Sequence, residues 1–331
     1  MGLPLARRKG SCGAGPHRWI GAIFTARPIS EASEALRAQV GDVDHYVVVS
    51  VPDDFIATLT CDLKLFLNGT GHVSDDDVQR TIGRCGRLAY LVPAARPFVS
   101  ALWAALGAAE LSAQQGRREA PPGRVPAQMF QAAARCIFRL LHPPSRELPW
   151  LPLEHVITER LGDISLSTAA IAEVDASPWG GCGVLFIVGQ IVEHWSLPWQ
   201  PTDAKELQTT VGKPAGQTTW ELLALLVTLV LWGRSHRGHG IALLGDNTAS
   251  LQAALQLRGR GALARIAREI SWRRARDGWR YAVGHLPSER NVLADSLSRL
   301  HAPSAEHKCL PPELAGALTR EAPEIASLRV V

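Results

Sequence analysis

One segment constrains what this chain can fold into more than any other. Residues Glu221–Trp232 read ELLALLVTLVLW, apolar on every side of a helix with a single acid at its front. Such a helix is buried on most of its faces, so other elements must wrap it. Its strongly apolar run, Leu222–Trp232, is 11 residues long. That is short of the roughly 18 needed to cross a bilayer, so the expectation is a core helix and no membrane role. The wrapping elements are legible on both sides. Ile171–Asp175, Gly183–Val188 and Ile191–Ser196 read as strands, the last two joined in a hairpin at Gly189-Gln190. Ile241–Gly245 and Trp279–Val283 read as further strands, and Thr248–Leu257, Ala262–Arg276 and Val292–Leu300 as helices. Three antiparallel strands followed by helix–strand–helix–strand–helix predict an α/β fold, a mixed five-stranded sheet flanked by helices. Pro198–Gln217, polar with three prolines and two glycines, reads as a loop.

The preceding residues have another rhythm. Trp19–Phe24 and Tyr46–Val51 look like strands, and Asp53–Ala109 is helical in pattern. Ser74 with Asp77 can cap a helix running to about Leu91. Pro93 and Pro97 then interrupt the pattern before Phe98–Leu106. Residues 111–128 read as an exposed linker, and Gln128–Leu141 as a short helix stopped at Pro143-Pro144. With 331 residues, enough for about two domains, the predicted organisation is 1–51, a helical region 52–113, a connection 114–167, a sheet domain 168–302 and a tail 303–331 of low signal.

Four acids stand inside distinctive local patterns: Asp175 in VDASPWGGCGVL, Glu221 in TTWELLALL, Asp246 in LLGDNTASL and Asp295 in NVLADSLSRL. Each has an ordinary explanation. Asp175 can start a turn, Glu221 can close a capping box with Thr218, Asp246 can cap a helix, and Asp295 can complement a helix dipole. All four nevertheless fall at element ends that the predicted topology brings together. Clustered carboxylates repel one another unless a cation is bound, and hard oxygen donors suit Mg²⁺. Two such ions about 3.5–4 Å apart serve phosphodiester hydrolysis, with Mn²⁺ as a substitute. His285, in GHLPSERN on the loop after the fifth strand, is either an inert loop histidine or a proton carrier.

The net charge of +4 says little about partners. Between Arg258 and Arg280, however, eight arginines meet only Glu269 and Asp277. Leu263, Ile266 and Ile270 mark a buried helix face there; Arg265, Arg268 and Arg276 point elsewhere. Arg258, Arg260, Arg265 and Arg268 are candidate phosphate contacts, and Asn247 is a further candidate at the minor groove or backbone. The six cysteines (Cys12, Cys61, Cys85, Cys136, Cys182 and Cys309) include no CxxC pair. They read as reduced thiols of an intracellular protein, cytoplasmic or nuclear. Arg7, Arg8 and Lys9 precede no apolar stretch, so no secretory signal is expected.

These motifs in this order resemble the ribonuclease H domain of retroelement reverse transcriptases, of the Ty3/gypsy or DIRS-like kind, over roughly residues 168–301. HLPSERNVLADSLSR is the most specific of them. The resemblance implies a ribonuclease H-like fold in which Asp175 bridges two metals, Glu221 and Asp246 hold one, Asp295 holds the other, and His285 is an auxiliary histidine. It implies cleavage of the RNA strand of an RNA·DNA hybrid. WIGAIF and VSDDDVQRTIGRCGRLAYLVPAARPFVSALWAAL resemble the region after a polymerase active site and the thumb. No Tyr-x-Asp-Asp motif occurs, so the expectation is a truncated enzyme that does not polymerise, with a separate polymerase subunit as a candidate partner. Two alternatives stay open: a remnant that binds nucleic acid without cutting, and another nuclease or strand-transferase of the same fold.

Overall fold

A computed structural model of the chain describes residues 16–19, 22–32, 37, 44–68, 71–117, 120–143, 154–157, 170–236, 240–303 and 309–328. Arg7, Arg8, Lys9, Cys12 and Pro144 lie outside the described residues, as do Ile20 and Gly21 of WIGAIF and much of 114–167.

The first unit joins a small sheet to a helical bundle. Strands β1 (His17–Trp19), β2 (Ala22–Pro28) and β3 (His45–Ser50) are antiparallel neighbours. Helix α1 (Asp53–Leu67) leads to β4 (His72–Ser74) and α2 (Asp75–Leu91). At the start of α2 the Ser74 hydroxyl accepts from the Asp77 amide and donates to the Asp77 carboxylate, so the cap forms through the side chains named from sequence. Helix α3 (Arg96–Gln114) outruns its expected end, continuing through Gly107 to Gln114 because Ala108–Ala113 holds good helix formers and no proline. The stretch expected as an exposed linker contains β5 (Arg124–Pro126), which pairs with β4 and buries Val125. Helix α4 (Gln128–Leu141) then packs Phe130, Ile137 and Leu140 into the same core as Leu59, Leu63 and Phe66 of α1. Strand β6 (Glu154–Ile157) returns to β3, closing a four-stranded sheet.

The second unit is a mixed sheet flanked by helices. It contains β7 (Ala170–Ala176), β8 (Gly180–Ile187), β9 (Gln190–Pro198), α5 (Pro201–Leu207), α6 (Gln217–Trp232) and β10 (Ile241–Gly245). There follow α7 (Thr248–Gln256), α8 (Ala262–Asp277), β11 (Tyr281–His285), α9 (Val292–Ser298) and β12 (Leu318–Thr319). Strand order is β11-β10-β7-β8-β9-β12. The expected five-stranded sheet is therefore six-stranded. The two-residue β12 runs parallel to β9 and is fastened by a bidentate Arg320–Glu193 pair at 2.7 Å. It is too short to show strand periodicity. The expected loop 198–217 likewise holds α5, started by a reciprocal Gln200–Asp203 capping box.

Helix α6 behaves as its composition demands. Together with its preceding turn it is long and apolar enough to cross a membrane, but Trp220 and Leu222–Leu229 are buried against the sheet and the helices α7 and α8. Alternation along the strands separates two faces. Val174 and Leu185 point to the α6 core, whereas Cys182 and Val184 pack with Ala294 and Leu297 of α9. The Cys182 thiol donates to the Ala294 carbonyl at 3.0 Å, tying α9 to β8. The five described cysteines are free thiols.

The glycines of β8 make room for aromatic rings. A Cβ at Gly181 would lie 2.4 Å from the Trp199 ring, which stacks on Trp220 at 4.9 Å between centroids. Gly181→Ala is expected to cost about 1–3 kcal/mol by overpacking, seen as a Tm several degrees lower in thermal unfolding. An unchanged Tm would show that the stack is slack.

Helix α8 serves both units. Ile266 and Ile270 belong to the sheet core, while Trp272 and Ala275 pack into the helical core. The Ser271 hydroxyl donates to the Ala94 carbonyl at 2.7 Å. The face that looked free in the sequence is an interface.

Candidate metal centre

Strands β7 and β10 are adjacent and parallel, with Leu244 opposite Glu173. That register brings Asp246, the first residue past β10, level with Asp175 near the end of β7. Crevices beyond the carboxyl ends of such strands are where open α/β sheets place their ligands. Helix α6 begins beside them, and Glu221 emerges from its second turn. One oxygen from each of Asp175, Glu221 and Asp246 can lie within 4.8 Å of the others. A cluster of this kind has the donors to hold a divalent cation.

Neither Glu221 nor Asp246 serves as a helix cap. Helix α6 starts at Gln217, with Gly216 before it and no side-chain cap. The Thr218–Glu221 capping box does not form, because both residues are already inside the helix. The Gln217 amide instead donates to Glu221 Oε1 at 2.9 Å and to the Ala176 carbonyl. It thus holds the carboxylate beside the end of β7. Asp246 is not the cap of α7 either. Asn247 is, its Oδ1 accepting from the Ser250 amide at 3.0 Å. This commits part of the side chain proposed for nucleic-acid contact. Asp246 is left half-buried, accepting from the Ser288 hydroxyl at 2.7 Å. Asp175 is 5% exposed and accepts from the Asn291 amide at 3.3 Å.

Asp295 stands slightly apart. It lines the same cavity of about 860 Å³ as the other three but pairs with Arg299 at 2.6 Å, one turn along α9. It lies outside the tight cluster. His285 is the last residue of β11, not a loop residue; it is exposed and paired in register with Gly245, next to Asp246.

Burial and crowding perturb the centre. Burial above all, with the Asp246 and Asp295 charges adding to it, raises the Asp175 carboxyl to about 7 against the pull of Ser298 and Arg299. Burial and then the Asp175 charge push Glu221 well above the carboxylate range, opposed by the Gln217 hydrogen bond. Two acids that favour protons without a counter-charge form a site that gains from a cation.

The arginines divide. Arg265 donates to the Glu206 carbonyl, and both Arg265 and Arg268 line a second cavity between the two units rather than the acidic one. They are turned there because α8 is wedged between two cores. Arg276 is engaged by Asp277. Arg260 is exposed. Arg258 joins Arg96 and Arg274, whose charges act on one another across the unit boundary. Tyr90, 88% exposed, lies beside them. Among the described residues no acid forms an ion pair with these three arginines. Arg96 and Arg274 were missed as phosphate candidates, Arg96 because it is far from Arg258 in sequence. Ser288 and Asn291 sit inside HLPSERN, yet nothing in a sequence says which acid they hold.

No protein-family model matches the chain, and no curated protein matches it in sequence. Among solved structures, RNase H1 from Halobacterium salinarum NRC-1 aligns over 40% of this chain and 96% of its own, at 20% identity and a TM-score of 0.30. A foamy viral protease-reverse transcriptase in complex with double-stranded DNA aligns over 73% of this chain and 37% of its own, at 14% identity and a TM-score of 0.25. Likenesses at these scores carry no weight on function, which rests on the acidic centre itself.

Proposed function

We propose that the chain is a divalent-metal-dependent nuclease of the ribonuclease H kind, from a retroelement reverse transcriptase, cutting the RNA strand of RNA·DNA hybrids. The observation that carries this reading is the meeting of Asp175, Glu221 and Asp246, from three separate elements, in the wall of a cavity that Asp295 also lines. When bound, two Mg²⁺ ions, or Mn²⁺, supply an activated water and a stabilised leaving oxygen. Asp175, Glu221 and Asp246 would hold them, with Asp295 as the fourth ligand on release from Arg299. Gln217, Ser288 and Asn291 fix the directions of the first three carboxylates. Loss of such supports costs metal-site function about 10–100-fold. His285, exposed at the end of β11, would move a proton at the scissile phosphate or help product leave. Choice of a hybrid would rest on helix shape and the RNA 2′-hydroxyls rather than on base sequence.

The test is cleavage of one labelled sequence presented as RNA·DNA hybrid, duplex DNA, duplex RNA and single-stranded RNA, with Mg²⁺. Preferential cutting of the hybrid on its RNA strand is the expected result; preference for duplex DNA would replace this reading with another nuclease of similar fold. The Arg96, Arg258 and Arg274 patch would supply the phosphate attraction. Arg258 lies just beyond the far end of α7 from Asp246, about 15 Å along a helix of that length. Arg258→Glu with Arg274→Glu is expected to weaken hybrid binding and to flatten its salt dependence by about one unit of log–log slope per lost contact. An unaltered slope in filter binding would remove the patch from the interface.

A further inference from the structure

The nuclease reading leaves unused a cavity between the two units. It encloses about 570 Å³, within the range of small-ligand sites. Its walls are mostly apolar: Phe98 of α3, Met129 and Ala133 of α4, Leu223 and Leu226 of α6, and Leu328 near the end of the described chain. Four charged residues line it too: Glu206, Arg265, Arg268 and Glu269. Arg268 is half-buried beside Cys136, and burial with the nearby Arg265 charge disfavours its cation. A guanidinium keeps its proton regardless, yet among the described residues no hydrogen bond or ion pair engages it. Glu269, the next residue, is 4% exposed. Its Oε1 accepts from Arg273, while Oε2 is buried with no partner. A half-buried cation without a protein partner at an apolar cavity is costly, and the head of an anionic ligand can satisfy it; Glu269 Oε2 is closed off from the cavity by its own packing.

We propose that this cavity is a binding site for a small amphipathic anion: an apolar, ring-sized body and an anionic head set against Arg268. Arg265, already donating to the Glu206 carbonyl, stands at the same wall and adds positive potential for the head. The site is independent of the acidic centre, which shares none of its lining residues.

The probe is 8-anilinonaphthalene-1-sulfonate, which combines a fused aromatic body with a sulfonate. It is titrated against the full chain by fluorescence, with stoichiometry from calorimetry. Saturable binding at one molecule per chain is expected. Arg268→Gln is expected to weaken it about tenfold, and Ala133→Trp, which fills the cavity from α4, to abolish it. Thermal unfolding of each variant separates loss of the site from loss of the fold: a variant with reduced Tm is replaced by Ala101→Leu, which fills the opposite wall from α3. Non-saturating binding, or saturable binding that neither Arg268→Gln nor a folded filling variant alters, would overturn the proposal. Hybrid cleavage is not the readout, so the outcome is separate from that of the nuclease reading.

Discussion

Asp246→Asn is expected to reduce Mg²⁺-dependent cleavage of an RNA·DNA hybrid by on the order of 10³-fold or more, about 4 kcal/mol of transition-state stabilisation. The substitution removes one ligand charge and little else. Asp246 caps no helix, since Asn247 does so. It is half-buried, and among the described residues it accepts from the Ser288 hydroxyl, a bond that an amide oxygen can also accept. Without metal, thermal stability should be no lower than the parent's and slightly higher at pH 8, because the charge that crowds Asp175 and Glu221 is removed. Ser288→Ala is expected to give the smaller loss of a supporting group, about 10–100-fold. Equal cleavage by the parent and Asp246→Asn would sink the assigned site, whatever the activity of the protein.

The second large effect concerns stability. Asp175 has its carboxyl raised from 3.8 to about 7 in the folded chain. Between those values the folded protein keeps a proton that the unfolded chain has released. Folded-state proton binding in excess means that stability falls as pH rises. Metal-free protein should thus be most stable below about pH 4 as far as this group is concerned, lose stability through the window to pH 7, and remain penalised above it. Glu221 acts in the same sense. Asp175→Asn cannot ionise and can still accept from Asn291, so the variant is expected to unfold several degrees above the parent at pH 8 and with little difference near pH 4. Excess Mg²⁺ at pH 8 should raise the parent's Tm by mass action and leave the variant nearly unmoved. A parent whose Tm is flat across this window and indifferent to Mg²⁺ would show that the acids are neither strained nor a cation site.

Much of the second unit was legible because its signals are local. An all-round apolar helix has one physical solution, and α6 takes it. Strands β7, β8, β9 and β10 fall within a few residues of the runs that predicted them, since alternation and bounding glycines operate over neighbouring residues. The elements that escaped are those whose stability is borrowed. β12 is two residues held by an ion pair to β9, and β5 is three residues held by β4; neither is long enough to carry a period. α5 hid inside a proline-rich stretch because its cap uses Gln200, an uncommon capping residue.

The candidate site divides the same way. Sequence by itself determined which acids stand at the ends of strands and helices, because the residue at a boundary is set by local pattern. It also determined that the segment carrying Glu221 lies inside the molecule. Only the tertiary structure decided that Asp175, Glu221 and Asp246 share one point while Asp295 is drawn to Arg299. That depends on the β7–β10 register and on the placement of α6 and α9 over opposite faces of the sheet. It decided, too, that Arg265 and Arg268 face an internal cavity, whereas Arg258 gains Arg96 and Arg274 as neighbours. A helix presents charge to solvent by default, and whether another domain covers that face is settled by contacts between residues far apart in the chain.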